Sequence, residues 1–260
     1  MKGKRMSTIT SKWLKTNALL SHGEISKYIP ETQRLTMDNL SAMLARYGMV
    51  YIKPERGTYG NGVIRAEVLP QGMYKYQYQI EMSKRTFKDY YSFYQSLKKV
   101  TKKRSYLVQM GIHLLKYQKR RFDIRVMVQL NPKGVWETTG IIGRVAHPGK
   151  IVTNYHSGGK LVSIERLLSS HLSLSGQQAL IDKMSKLGVT IAKQLKKKYP
   201  NYRQVGVDVG LDLSMKPWII EVNSNPDPYI FNKLADKSVY RKVMRYRKLS
   251  SPVRLVKKKK

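Results

Sequence analysis

The strongest constraint on this chain is a pair of acid-bearing apolar segments, Val207-Asp208-Val209 and Trp218-Ile219-Ile220-Glu221-Val222-Asn223. Leu213-Ser214-Met215-Lys216-Pro217 lies between them and reads as a turn, so the segments are expected to be adjacent strands. Side chains alternate along a strand. Glu221 and Asn223 therefore leave one face, and Asp208 can meet them from the neighbouring strand. Two carboxylates and an amide oxygen at one point repel each other unless a cation lies between them. Hard oxygen donors with open positions suit Mg²⁺ carrying nucleotide phosphates. A hairpin with an acidic rim is the plainer reading, but these acids sit inside apolar strands of a chain with only 16 Asp and Glu.

A second element points the same way. Met49 to Lys53 is an apolar strand that ends on a lysine, Pro54 to Gly62 is a turn rich in glycine, and Val63 to Val68 is a further strand. Glycines let backbone N–H groups approach phosphate oxygens, and Lys53 supplies a point charge. The lysine precedes the glycines and no G-K-[ST] closes the run, so this is not a Walker loop. A strand rather than a helix follows, which excludes the Rossmann fingerprint.

At 260 residues, 41% apolar and 10% aromatic, the chain can bury a core and fits one domain of two lobes. It has no apolar run long enough to span a bilayer and no apolar core of a signal peptide. The absence of cysteine removes disulfides, thiolate metal sites and a cysteine nucleophile. His113, His147 and His156 fall near the proposed site and are expected to be surface or packing residues.

The net charge of +34 is uneven. Residues 82–121 hold 12 Lys and Arg against Asp89 alone, and residues 233–260 hold 12 against Asp236 alone. Such density attracts polyanions, among them nucleic acid, anionic wall polymer, acidic peptide or a membrane surface, and it also suits a solvated basic face. Phe87, Tyr90, Tyr91 and Tyr94 accompany the charge at helical spacing and are expected in the core rather than stacked on bases.

The pattern predicts a helix from about Thr36 to Tyr47 stopped by Gly48, strands at 49–53, 62–69 and 73–81, and a helix at 86–99. A strand from Tyr106 opens the second lobe. Strands at 122–130 and 135–146 turn at Asn131 to Gly134, and a loop through Asn154, Gly158 and Gly159 follows. Helices at 163–169 and 176–198, capped by Ser163 and Ser175, precede the strands at 204–213 and 217–223. Residues 233–249 read as a basic helix and 250–260 as a flexible tail. The implied division is an N-terminal segment 1–30, lobes at 31–105 and 106–232, and a basic C-terminal part 233–260.

Taken together these pieces resemble an ATP-grasp enzyme, and more narrowly the YheC/YheD-type family associated with the endospore coat. The resemblance runs over roughly residues 8–232. It includes Lys12-Trp13-Leu14-Lys15, Tyr28-Ile29-Pro30-Glu31-Thr32, the Lys53-Pro54 glycine loop, Tyr106 to Ile112, Phe122-Asp123-Ile124-Arg125-Val126, Gly140 to Arg144, Thr153-Asn154, Gly158-Gly159 and the Asp208/Glu221/Asn223 set. It implies an α+β fold of two lobes clasping a nucleotide between antiparallel sheets. Lys53 and the loop with Gly57, Gly60 and Gly62 would hold ATP phosphates. Gln109, Met110, Gly111 and Ile112 would form the hinge beside adenine, and Lys119, Arg120 or Arg121 would add a basic group. Arg125 and Arg144 would bind phosphate or substrate carboxylate, Asn154 would lie near the transferred phosphoryl group, and Asp208, Glu221 and Asn223 would hold Mg²⁺.

The activity so implied is an ATP- and Mg²⁺-dependent ligase that activates a carboxylate as an acyl phosphate and passes it to an amine, in the cytoplasm or at the spore coat. The substrate would be a small-molecule or peptide carboxylate. Residues 1–30 are too few for the N-terminal domain that usually completes such enzymes, which is expected to be missing. Two other functions compete: a coat or polyanion-binding structural protein on the same scaffold, and a nucleic-acid-binding protein in which the acidic set is incidental.

Overall fold

A computed structural model describes residues 10–102 and 104–250. The tail expected from residue 250 lies outside the described residues from 251 onward.

The elements follow in the order α1 (Lys12–Leu20), α2 (Gly23–Ser26), β1 (Thr32–Arg34), α3 (Met37–Tyr47), β2 (Met49–Pro54), β3 (Ile64–Val68), β4 (Tyr76–Ile80), β5 (Ser83–Phe87), α4 (Tyr90–Thr101) and β6 (Tyr106–Met110). After these come β7 (Lys116–Tyr117), β8 (Arg120–Leu130), β9 (Trp136–Val145), β10 (Lys160–Val162), α5 (Ile164–Leu168), α6 (Leu174–Lys198), β11 (Gln204–Leu211), β12 (Pro217–Asn223) and α7 (Lys237–Ser250). One antiparallel sheet has the order β1-β6-β2-β3-β4-β5, and the second has β10-β9-β8-β11-β12 with β7 paired to β8. This is the α+β fold of two sheet-bearing lobes.

Local chemistry sets the helix ends. The Thr36 hydroxyl accepts from Asn39 N at 3.1 Å and starts α3, and Gly48, left-handed at φ +68°, stops it. Asp89 accepts from Ser92 N at 2.8 Å and starts α4. The helix expected at 86–99 therefore begins later, because 83–87 pairs with β4 as an edge strand. That start also fixes its phase. Phe93 and Leu97 are buried, and Phe87, Tyr90 and Tyr94 pack around them, but Tyr91 is 64% exposed rather than in the core. Ser173, not Ser175, caps α6 by accepting from Gly176 N at 3.3 Å.

Two differences bear on the site. β6, expected to open the second lobe, is an inner strand of the first sheet between β1 and β2. The N-terminal segment, for which no element was expected, forms α1 and packs on α6 of the second lobe, with Gln194 donating to Ala18 O at 3.2 Å. Its N-terminus is tied to the first lobe: Lys12 N donates to Glu55 O at 3.0 Å, and the Ser11 hydroxyl donates to Glu55 Oε1 at 2.6 Å. Each lobe has its own apolar core, one around Tyr78, Phe93 and Leu97 and one around Phe122, Ile124 and Leu167. Truncating a fully buried phenylalanine such as Phe93 costs about 3–5 kcal/mol.

Candidate functional site

β11 and β12 pair in the register Gly206 with Asn223 and Asp208 with Glu221, and a bulge follows Asp208. The Asn223 amide donates to Asp208 Oδ2 at 3.2 Å. Asp208 thus contacts Asn223 and stands opposite Glu221 in register, but in company the sequence did not announce. β8 lies on the other side of β11 with Arg125 opposite Asp208. The Arg125 guanidinium grips Asp208 through Nε at 2.5 Å and Nη2 at 3.2 Å. One strand further on, Arg144 of β9 stands opposite Asp123 of β8 and pairs with it at 2.8 and 2.5 Å. Its Nη2 also reaches Asp208 Oδ2 at 3.0 Å.

All four charged residues are at most 6% exposed, and their formal charges cancel. Burial pushes the Asp208 carboxyl upward, but Arg125 and Arg144 outweigh it and hold the pKa down at about 2. The repulsion argument for a bound cation is therefore corrected at Asp208: arginines of the protein supply the countercharge.

Glu221 is differently placed. Its side chain is 26% exposed, and Lys12 Nζ lies 3.5 Å from Oε1. Asn223 gives its amide nitrogen to Asp208 and shares a strand face with Glu221. Among the described residues, no three His, Asp or Glu side chains surround one point. A carboxylate and an amide oxygen are nonetheless the hard donors Mg²⁺ takes when phosphates complete its shell, so the residues present fit that ion.

The opposite wall comes from β2 and the loop after it. Lys53 is nearly buried and donates to Gln109 Oε1 at 2.6 Å, while Gln109 Nε2 donates to Thr32 Oγ1 at 3.1 Å. Burial lowers the Lys53 pKa to about 8, against the raising effect of Glu221. Gly57, Gly60 and Gly62 all have positive φ. A Cβ on Gly60 would stand 3.0 Å from Asn154 Oδ1 and 3.2 Å from Val152, so only glycine lets the loop lie this close to the second lobe. The Ser157 hydroxyl donates to Tyr59 O at 2.9 Å and ties the two loops together.

The cavity between these walls is lined by the apolar side chains of Tyr51, Met110, Ile112, Leu114, Ile151 and Ile220. Lys12, Lys53, Asp123, Arg144, Asp208, Glu221 and Asn154 also line it. A Cβ on Gly111 would meet Met49 O at 2.6 Å, so only glycine lets the chain leave β6 this close to β2. Of the other expected residues, Lys119 and its neighbours Arg120 and Arg121 do not line this cavity; they line a separate one. His156 forms a contact with Asp227 at 3.2 Å, and His147 is exposed.

Two lysines had been assigned no role. Lys12 bridges Gly57 O, at 2.9 Å, and Glu221, and Lys15 one turn later is buried with its pKa lowered by that burial. Their i, i+3 spacing behind the Ser11 cap was the available signal.

Solved structures with this architecture are ATP-grasp enzymes. The crystal structure of D-cycloserine synthetase DcsG matches with a TM-score of 0.56 at 11% identity, covering 93% of this chain and 70% of that one. N5-carboxyaminoimidazole synthase from Aspergillus clavatus, in a complex that contains ADP, matches with a TM-score of 0.55 at 12% identity over 93% and 52%. D-alanine-D-alanine ligase from Coxiella burnetii matches with a TM-score of 0.50 at 12% identity over 92% and 59%. The chain has the ATP-grasp fold.

Within that class it belongs to the YheC/D-like ATP-grasp family, whose model matches residues 6–248. Two Bacillus subtilis (strain 168) proteins are similar to it, each at 24% identity. Endospore coat-associated protein YheD aligns over 86% of this chain and YheC over 84%. The chain spans 50% of the length of YheD and 60% of that of YheC. Among the described residues, no helix is long and apolar enough to cross a membrane.

Proposed function

We propose that the cleft binds ATP with Mg²⁺ and that the protein is a ligase that joins a carboxylate to an amine or similar nucleophile. The observation that carries this reading is the meeting, in one cavity, of Lys12, Lys53 and the glycine loop with Arg144, Asp208 and Glu221. Lys12, Lys53 and Arg144 line the cavity with Asp123, Asp208 and Glu221, three against three, and phosphate is met by Lys12 and Lys53; Lys15, in the adjoining cavity, and Arg125, paired with Asp208, add positive charge behind them. The apolar side chains of the lining, Met110 and Ile112 among them, take the base.

In this reading Lys53 and Lys12 bind phosphate oxygens, and the Gly57–Gly62 loop covers them and excludes water. Mg²⁺, held by Glu221 and Asn223, would neutralise phosphate charge during transfer. Asp208 positions Arg125, Arg144 and Asn223. Arg144 presents its guanidinium to the cavity and orients the substrate carboxylate, whose oxygen attacks the terminal phosphorus as ADP departs. Asn154, against the loop at Gly60, holds the transferred group. The nucleophile then displaces phosphate from the acyl phosphate. Such transfer rests on positioning and charge rather than on a protein nucleophile. The relatives' coat-associated names favour the spore coat as the setting.

The test is calorimetric titration of ATP with and without Mg²⁺ on wild type and Glu221→Gln. Mg²⁺-enhanced binding that disappears in the variant is the expected result. An unchanged Glu221→Gln titration removes the metal assignment, and wild type that does not bind ATP removes the nucleotide reading.

A further inference from the structure

Tyr51, Arg65, Gln79 and Lys84 are successive register partners across β2, β3, β4 and β5, and Gln109 of β6 precedes them. Partners in register point to one face, so these side chains form a single row. At one end, Gln109 and Tyr51 line the nucleotide cleft. At the other, Arg65, Gln79 and Lys84 line a second cavity of about 320 Å³, large enough for a ligand.

The facing wall is the β7–β8 hairpin with Lys116, Lys119, Arg120 and Arg121, and the loop after β9 adds Lys150. Gln118 and Lys119 both have positive φ, the geometry of a tight two-residue hairpin turn. The Gln79 amide donates to Gly149 O at 2.7 Å and fastens that loop to the first sheet. The cavity is thus a fixed junction of both lobes.

No acid lines it. Arg65 pairs with Glu67 at 2.6 Å, yet its Nε is buried with no hydrogen-bond partner. Among the described residues, the other six Lys and Arg form no ion pair. Like charges gathered in one trough repel each other, and an anion seated among them relieves that repulsion.

We propose that this trough binds an acidic polypeptide segment, part of the substrate chain whose reacting carboxylate enters the adjoining cleft; the substrate role rests on the ligase reading above. The trough presents cations on separate stems, Arg65 and Lys84 two strands apart at about 9.6 Å and Lys116 opposite Arg121 on the facing hairpin, which suits carboxylates dispersed along a chain. It has no helix N-terminus of the kind that cradles a compact phosphate. Among the described residues, its lining contains no Tyr, Phe or Trp on which bases could stack. It also gives a use to the basic run 82–121, which supplies five of its seven cations.

The experiment is fluorescence anisotropy of labelled octaglutamate on the full chain. Wild type is compared with Lys84→Glu/Lys116→Glu in the trough and with Arg241→Glu/Lys248→Glu on α7 as a control. All four positions are exposed. Binding should weaken about tenfold or more in the trough variant and much less in the control, and should fall with salt. If the first trough variant does not fold, Lys119→Glu/Lys150→Glu replaces it. No octaglutamate binding, or loss only in the control, overturns the trough. Oligothymidylate or polyphosphate of equal charge binding tenfold tighter through the same lysines overturns the peptide assignment. ATP titrations on the same proteins separate the two readings: peptide binding without ATP binding sinks the ligase and leaves the trough, and the reverse result does the opposite.

Discussion

Arg144→Met tests the buried network most directly. Methionine keeps part of the apolar stem and removes the guanidinium, and with it the two bonds to Asp123 at 2.8 and 2.5 Å and the contact to Asp208 at 3.0 Å. Asp123, Asp208 and Arg125 remain, so a neutral buried cluster acquires a net charge of minus one. Removing one partner of a buried pair costs about 3–5 kcal/mol, because the survivor is left uncompensated. Asp208 keeps Arg125, and Asp123 loses its ion-pair partner, so the loss should fall near the low end, about 3 kcal/mol. For a chain of this size that lowers Tm by roughly 6–12 °C. Adding Asp123→Asn removes the stranded charge while keeping the shape, and should restore about half the loss. Protonation gives a second readout. The depressed Asp208 pKa contributes stability that is present above its ordinary value of 3.8 and lost as pH falls through about 2. With one guanidinium gone, that loss should begin at higher pH. Urea titrations followed by tryptophan fluorescence at about pH 7 and about pH 4 measure both effects. A variant melting within about 2 °C of wild type, or one that Asp123→Asn fails to improve, refutes the account of this cluster.

Lys53→Met should weaken ATP binding about tenfold or more at neutral pH, the worth of a charge-assisted hydrogen bond. Because the Lys53 pKa is lowered to about 8, its amine is charged below that value and neutral above it. Wild-type ATP affinity should therefore fall as pH rises through about 8, while the variant lacks this step; a flat wild-type profile would count against a phosphate role for Lys53. Gly206→Ala places a Cβ 2.6 Å from Pro226 Cβ and 3.1 Å from Arg125 Cδ, and should lose about 1–3 kcal/mol as Arg125 is pushed off Asp208. Gly23→Ala meets nothing within 4 Å and should be neutral or stabilising by urea titration; equal losses at the two glycines would undo the argument.

The parts of this site that the sequence made legible are those whose geometry is local. Asp208, Glu221 and Asn223 sit on strands joined by a short turn, so alternation alone brings them together. Thr36 and Gly48 bracket α3 within one segment. The partners of Asp208 were a different matter. Arg125 is 83 residues away, and its place depends on the register of β8 against β11, which no local pattern states. The docking of α1 is long-range in the same way, since Lys12 matters only once its helix lies on α6 and against the glycine loop. The phase of α4 failed for a local reason: an aromatic run offers more than one apolar face, and the Asp89 cap decided between them. Composition adds a further asymmetry. In a chain with 16 acids and 50 Lys and Arg, an acid inside an apolar strand is conspicuous, whereas any given base is one of many. The acids therefore announce where the site is, and the arginines and lysines that complete it become visible only when the sheets pair.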